Sequence, residues 1–232
     1  NSDNASKSPD LKDLTLSVPR HSKIGIVGKT GCGKSTLTKV LMGLYTQSEG
    51  SYKIGNTDFS EITQEEVAQN ISVVLQDSEM FNFSLRDNIT LMQDVSAETF
   101  KKAILVSQLV DVIEKLPDGI DTTLGEKGYH LSGGERQRIG IARAICKEPQ
   151  IIIFDEATSS LDTRTERLIQ IAIEKELEDT TIIFIAHRID TLKNTDIVYV
   201  LDKGTVAEQG TFNELHKKGK SLFSQLYKSH KK

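Results

Sequence analysis

The sequence predicts an α/β fold built on a mainly parallel central sheet, with a helical subdomain inserted into it. Three observations carry that expectation. Short β-branched runs recur at Ile24 to Val27, Ile71 to Leu75, Ile151 to Phe154, Thr181 to Ala186 and Ile197 to Leu201. Nearly unbroken apolar runs of this length are how strands buried on both faces are written. Helical periodicity separates several of them, at Lys34 to Tyr45 and Arg164 to Glu178, and strands alternating with helices argue a parallel sheet. From about Ser84 to Lys147 the alternation stops. There Ala97 to Val110 puts Phe100, Ile104, Leu105 and Leu109 on one face, and Glu135 to Lys147 spaces Ile139, Ala142 and Ile145/Cys146 toward a core.

Taken in order, residues 1–10 are small and polar and read as a flexible lead-in. One domain then fills 11–232, its helical part at about 84–147. Leu11 to Val18 alternates loosely, which predicts a strand. The tail from Phe212 to Lys232 reads as a helix ending in lysines. The chain starts with Asn, which reads as an excised piece of a longer polypeptide.

Composition removes several classes of function. The 232 residues are 27% charged and 37% apolar, with a formal net charge of −4. That balance suits a globular core and argues against a general nucleic-acid binder, which needs a basic surface. Any phosphate site must therefore be local. Two cysteines, Cys32 and Cys146, make neither a disulfide framework nor a zinc spacing, and point to a reducing compartment. No signal peptide is visible, and no apolar run approaches the length that spans a bilayer.

The chemistry concentrates in a few segments. Gly28-Lys29-Thr30-Gly31-Cys32-Gly33-Lys34-Ser35-Thr36 fits the phosphate-loop pattern of Gly, four residues, then Gly-Lys-Ser/Thr, between a predicted strand and a predicted helix. Its glycines let backbone N–H groups converge on an anion, and the helix start adds partial positive charge. Lys34 is placed to reach the β- and γ-phosphates and Ser35 to ligate Mg²⁺. A match by chance is expected in roughly one chain in a hundred of this length. Ile151 to Phe154 runs into Asp155 and Glu156. Two carboxylates at the exit of a buried strand need a partner, and a metal-bound nucleotide supplies one. Asp155 would hold Mg²⁺ through water, and Glu156 would act as general base on the attacking water or at least orient it.

Leu131-Ser132-Gly133-Gly134-Glu135-Arg136-Gln137 carries a Ser-x-x-Glu capping box, Ser132 with Glu135, at a helix start. That bland role is compatible with a second one, because a Gly-Gly first turn presents bare N–H groups that suit a phosphate. Gln76 and His187 each follow an apolar run directly. If the runs are parallel neighbours, Gly28, Gln76, Asp155 and His187 meet at one edge, where open α/β sheets bind ligands.

Together these segments resemble the ATP-binding cassette family over nearly the whole chain. The phosphate loop resembles its Walker A, Gln76 its Q-loop, Leu131 to Gln137 its signature segment and Ile151 to Glu156 its Walker B. Ser159-Ser160-Leu161-Asp162 is similar to its D-loop and His187 to its switch histidine. Gly125-Glu126-Lys127-Gly128, Phe83 to Ile89 and Ala186-His187-Arg188 resemble the exporter branch (multidrug, peptide or mitochondrial half-transporters).

The resemblance implies a P-loop NTPase fold with an N-terminal antiparallel β portion and a helical subdomain carrying the signature. It implies ATP and Mg²⁺ as cofactors, with Lys34, Glu156 and His187 in catalysis and Ser35, Gln76 and Asp155 around the metal. It further implies head-to-tail pairing with a second cassette that supplies Ser132, Gly133, Gly134 and Asp162 in trans. Membrane domains of the same transporter would be the other partner, with the cassette on the cytoplasmic or organelle-facing side. Two alternatives stand beside an active transport ATPase: a nucleotide-gated dimerisation module with little turnover, and a soluble cassette outside transport. The family's adenine-stacking aromatic has no counterpart in residues 1–10, either because the sequence starts after it or because the protein lacks it, and weakened ATP affinity of this chain is expected in both cases. Pro19-Arg20-His21-Ser22 also stands where a glycine turn is common.

Overall fold

The structure, a computed structural model, describes residues 11–76, 78–125, 128–186 and 188–229. Among the described residues eight strands form: β1 (Lys23–Gly28), β2 (Lys53–Ile54), β3 (Thr57–Asp58), β4 (Ile71–Val74), β5 (Ile151–Asp155), β6 (Thr181–Ile185), β7 (Ile197–Asp202) and β8 (Thr205–Gly210). The α-helices before β5 are α1 (Lys34–Leu41), α2 (Gln64–Asn70), α3 (Leu85–Thr90), α4 (Ala97–Val106), α5 (Val110–Ile113) and α6 (Gly133–Cys146). After it come α7 (Thr163–Glu176), α8 (Phe212–Lys217) and α9 (Leu222–Ser229).

The main sheet has the order β4-β5-β6-β1-β7-β8. Every pairing in it is parallel except β7 with β8. The continuous apolar runs are explained by what covers each face. Ile152, Phe154, Ile182, Phe184, Val198 and Val200 face one core with α3, α4, α6 and α7. Their neighbours Ile153, Ile183, Ile185, Tyr199 and Leu201 face a second core with Leu37 of α1. Side chains alternate across a strand, so a strand covered on both sides is apolar at most positions on both faces.

Between β4 and β5 the described residues form helices and two isolated bridges, Ser84 with Thr123 and Leu124 with Tyr129. The helix expected over Ala97 to Val110 stops at Val106, because Gln108 takes a left-handed backbone (φ 55) that no α-helix continues through. Helix α6 begins as its capping box predicts. Ser132 accepts from Glu135 N–H, and the Glu135 carboxylate accepts from Ser132 N–H at 2.7 Å.

The strand expected over Leu11 to Val18 is not formed. That segment satisfies its backbone differently: Lys12 N–H donates to Gly204 O, and Ser17 exchanges two hydrogen bonds with the Tyr199 hydroxyl. Leu11, Leu14, Leu16 and Val18 still pack on the second core, so the alternation reported burial and not a ladder. The antiparallel β portion near the N-terminus is instead β2 with β3, closed by the two-residue Gly55-Asn56 turn. His21 carries the turn before β1 at φ 61, the conformation a glycine would take there without strain.

Cys146, at the end of α6, is 7% exposed, and burial followed by the nearby Glu148 charge pushes its thiol up to about 11. Burial likewise pushes the Tyr52 hydroxyl up to about 12. Both groups keep their protons in the folded chain at pH values where the unfolded chain has lost them. Stability from this source is full below the ordinary thiol value of about 9 and is lost as pH rises toward 11 and 12. Urea midpoints are therefore expected to be level through pH 8 and to fall steadily above about pH 9. Mass spectrometry after iodoacetamide treatment at pH 8 should find Cys146 unmodified unless urea is present, since the thiolate is the reactive form.

Candidate functional site

The site begins where β1 ends. A Cβ on Gly28 would stand 2.5 Å from both Cys32 Sγ and the Leu201 carbonyl oxygen, so only glycine lets the loop fold back on its strand. The loop is braced from within by Cys32 N–H donating to Lys29 O at 3.2 Å. It is braced from outside by Gly204 N–H donating to Cys32 O at 3.0 Å. Lys29, Thr30 and Gly31 remain exposed at its crest.

Gly33 is the N-cap of α1. It sits at φ 108, ψ 3, and no side chain caps the helix. A helix start without a side-chain cap leaves the first-turn donors and the positive end of the dipole for something else, and an anion is the natural occupant. Lys34, 6% exposed, curls back so that Nζ donates to Gly28 O at 2.8 Å and to Lys29 O at 3.3 Å. The ammonium thus sits inside the curve of the loop. Ser35, next along, is exposed, while Thr36 is half-buried.

The carboxylates come from β5. Asp155 is level with Ile185 of β6, and Ile185 is level with Ile26 of β1. Gly28 therefore lies two residues, about 7 Å, beyond Asp155 along the strand direction. The two are joined more directly through α1, because the Thr38 hydroxyl donates to Asp155 Oδ2 at 2.9 Å. Glu156 follows in a left-handed conformation (φ 55), with its N–H donating to Ile185 O at 2.9 Å. That turn ends the strand and redirects the second carboxylate away from the pleat, at the modest strain a non-glycine residue bears there.

Gln76 lies two residues past Val74, whose partner on β5 is Phe154, so it leaves the sheet at the level of Glu156. It is exposed, and its carbonyl accepts from Gln137 Nε2. Gly28, Gln76, Asp155 and Glu156, distant in sequence, thus emerge at one carboxyl edge. His187 lies outside the described residues; its chain neighbours Ala186 and Arg188 both come after β6, which ends at Ile185. Asp77, Glu126 and Lys127 lie outside them as well.

Ser132, Gly133 and Gly134 head α6 and meet a different neighbour. A Cβ on Gly133 would be 3.7 Å from Ser160 Cβ, and one on Gly134 would be 3.1 Å from Ser160 O. Asp162 is exposed and caps α7, accepting from Arg164 N–H and Thr165 N–H at 3.0 Å each. The Thr165 hydroxyl, ahead of these backbone bonds, holds its carboxyl below the usual range.

Three residues take roles that a reading of motifs alone does not assign. Thr38 tethers Asp155, and its signal was available: it stands one helical turn after Lys34 on the same face. Glu166 of α7, 7% exposed, accepts from Thr158, Thr191 and Arg188. Arg188 also donates to Leu161 O and Ser159 O. The third is Gln137, buried among loops. Neither Glu166 nor Gln137 announces its partners by spacing.

Known proteins share this sequence pattern and this fold. The sequence pattern of the ABC transporter family matches residues 11–159. The alpha-hemolysin translocation ATP-binding protein HlyB of Escherichia coli O157:H7 is 43% identical over 218 residues, covering 94% of this chain and 31% of that protein. The ATP-dependent lipid A-core flippase of Francisella tularensis subsp. holarctica is 39% identical over 221 residues, 94% of this chain and 36% of its own length. A solved structure of a bacterial Atm1-family ABC exporter with ATP bound superposes with a TM-score of 0.89 at 38% identity, over 95% of this chain and 39% of that one. The chain thus spans about a third of the length of these relatives. The matched pattern, the identity along nearly all of the chain and the shared fold show that this chain belongs to the ABC transporter family, as a nucleotide-binding domain of the exporter type.

Proposed function

We propose that this domain binds Mg-ATP at the carboxyl edge of its sheet and hydrolyses it to drive an exporter whose membrane-spanning parts belong to a longer assembly. The observation that carries the reading is the frame around α1. Lys34 closes the loop over an N-terminus without a side-chain cap, and Thr38 ties Asp155 to the same helix. Phosphoryl transfer needs positioning and charge compensation more than covalent help, and this frame offers both.

No group of three His, Cys, Asp or Glu side chains able to hold a metal occurs among the described residues. Mg²⁺ does not need one, since it shares its shell with waters and phosphate oxygens and takes one or two protein ligands. Ser35, Asp155 and Gln76 fit that demand, with Asp155 acting through water. When bound, the ion would neutralise charge building on the transferred phosphoryl group.

Within the protein, Lys34 binds the phosphates along with Gly28, Lys29, Thr30, Gly31, Cys32, Gly33, Ser35 and Thr36. Glu156 takes the proton of the attacking water, and His187 contacts the γ-phosphate. Residues 11–232 act as one nucleotide-binding domain whose helical part spans about 84–147. A second cassette docks head to tail and offers Ser132, Gly133, Gly134 and Asp162 across the nucleotide. The exposure of Ser132 and Asp162 supports this. ATP then favours the closed pair and hydrolysis releases it, the population shift expected of a ligand bound by one state only. Among the described residues no helix is long and apolar enough to cross a membrane. The exporter relatives support membrane domains as partners and an address on the cytoplasmic or organelle-facing surface.

Calorimetric titration with ATP and a phosphate-release assay test this directly. Saturable binding and Mg²⁺-dependent release are expected. A chain that neither binds ATP nor releases phosphate overturns the proposal.

A further inference from the structure

Gln137 sits early in α6 and is 1% exposed. Its amide spends its bonding capacity on two loops and none of it on its own helix. Nε2 donates to Gln76 O at 2.9 Å and approaches Ser159 Oγ at 3.3 Å, and Oε1 accepts from Ser160 N–H at 3.1 Å. A buried amide is the costly choice where an apolar side chain of similar shape would pack, so its bonds must serve position. Ser159 N–H in turn donates to Glu156 O at 3.1 Å. One line of hydrogen bonds therefore runs from Gln76 through Gln137 and Ser159 to the backbone of Glu156.

The far side of the same loop is held separately. Arg188, paired with Glu166 at 2.9 Å, donates to Leu161 O and Ser159 O. The loop from Ser159 to Asp162 is thus gripped by α6 on one side and by the segment after β6 on the other.

We propose that Gln137 is a positioning residue for hydrolysis. It holds the Ser159–Asp162 loop in register with Gln76, so that the placement of α6 sets the geometry of Glu156 and of the surface offered to a second cassette. This rests on the ATPase reading above. Because Arg188 and Glu166 remain, loss of the Gln137 amide loosens the register without freeing the loop. The effect falls on turnover and spares binding at the Lys34 loop.

The test compares Gln137→Met and Gln137→Glu with the unaltered chain. Readouts are kcat and KM for Mg-ATP, Kd for a non-hydrolysable ATP analogue, and the thermal midpoint. Gln137→Met, close in shape, is expected to lose at least about tenfold in kcat while Kd stays within about twofold and the midpoint holds. Gln137→Glu keeps the acceptor for Ser160 N–H but sets an oxygen against Gln76 O, so its kcat falls further. A Gln137→Met protein with kcat within about twofold of the unaltered chain overturns the inference. So does a fall in kcat matched by a rise in Kd and a drop in the midpoint, which marks a merely structural amide. If Gln137→Met melts early, Gln137→Glu decides by the same criteria. An unaltered chain that releases no phosphate defeats the ATPase reading itself, a result distinguishable from either outcome.

Discussion

Glu156→Gln is expected to slow phosphate release from Mg-ATP by roughly 10²–10⁴-fold, the range a positioned general base contributes, with ATP affinity nearly unchanged. The substitution keeps the shape of the side chain and removes its capacity to take a proton. Its backbone anchor, the N–H to Ile185 O bond at 2.9 Å, is indifferent to the change. So is the left-handed turn at φ 55, which glutamine tolerates no worse than glutamate. Retained binding with lost turnover identifies a working ATPase whose closed, ATP-loaded pair accumulates, visible as a shift in size-exclusion elution. Equal, near-zero rates in both proteins would instead favour a nucleotide-gated dimerisation module.

Lys34→Ala should act one step earlier, on binding. Removing the ammonium deletes charge-assisted hydrogen bonds to phosphate, each worth about 1.5–3 kcal/mol, and ATP affinity should fall by about ten- to a hundredfold or more. It also strips Gly28 O and Lys29 O of the donor that now lies at 2.8 and 3.3 Å. The loop loses its internal brace as well as its charge, so Lys34→Met, which refills the volume, separates the two contributions. Both variants should bind ATP poorly if charge is what matters. Calorimetry showing an unchanged Kd in either one would remove Lys34 from the phosphate site.

Local chemistry was legible wherever it obeys short-range rules. The Ser132 and Glu135 capping box forms as its spacing requires, because both partners lie within one helical turn. The tight turn between β1 and α1 was visible because its geometry depends on glycines at fixed positions, and Gly28 and Gly33 each occupy a place that a side chain would block or strain. The strand at Leu11 to Val18 failed for a related reason: alternation reports which face is buried, and Tyr199 and Gly204 take the place of a neighbouring strand there. Strand β8 was overlooked because Thr205–Gly210 is a half-buried edge with mixed residues, lacking the apolar run that marks its neighbours.

The amino-acid order by itself determined the type of most elements and the two-faced burial of the parallel strands. Their neighbours were decided only in three dimensions. Buried parallel strands carry nearly interchangeable apolar runs, so nothing local dictates that β6 lies between β1 and β5. That placement brings Asp155 level with Ile185 and within reach of Thr38. The bonds of Gln137 to Gln76, Ser159 and Ser160 exist because the packing of α6 beside the sheet brings two loops to one amide. Short-range propensity acts over a few residues, while the partners of a buried polar group are set by whatever the compact chain leaves within about 3 Å of it.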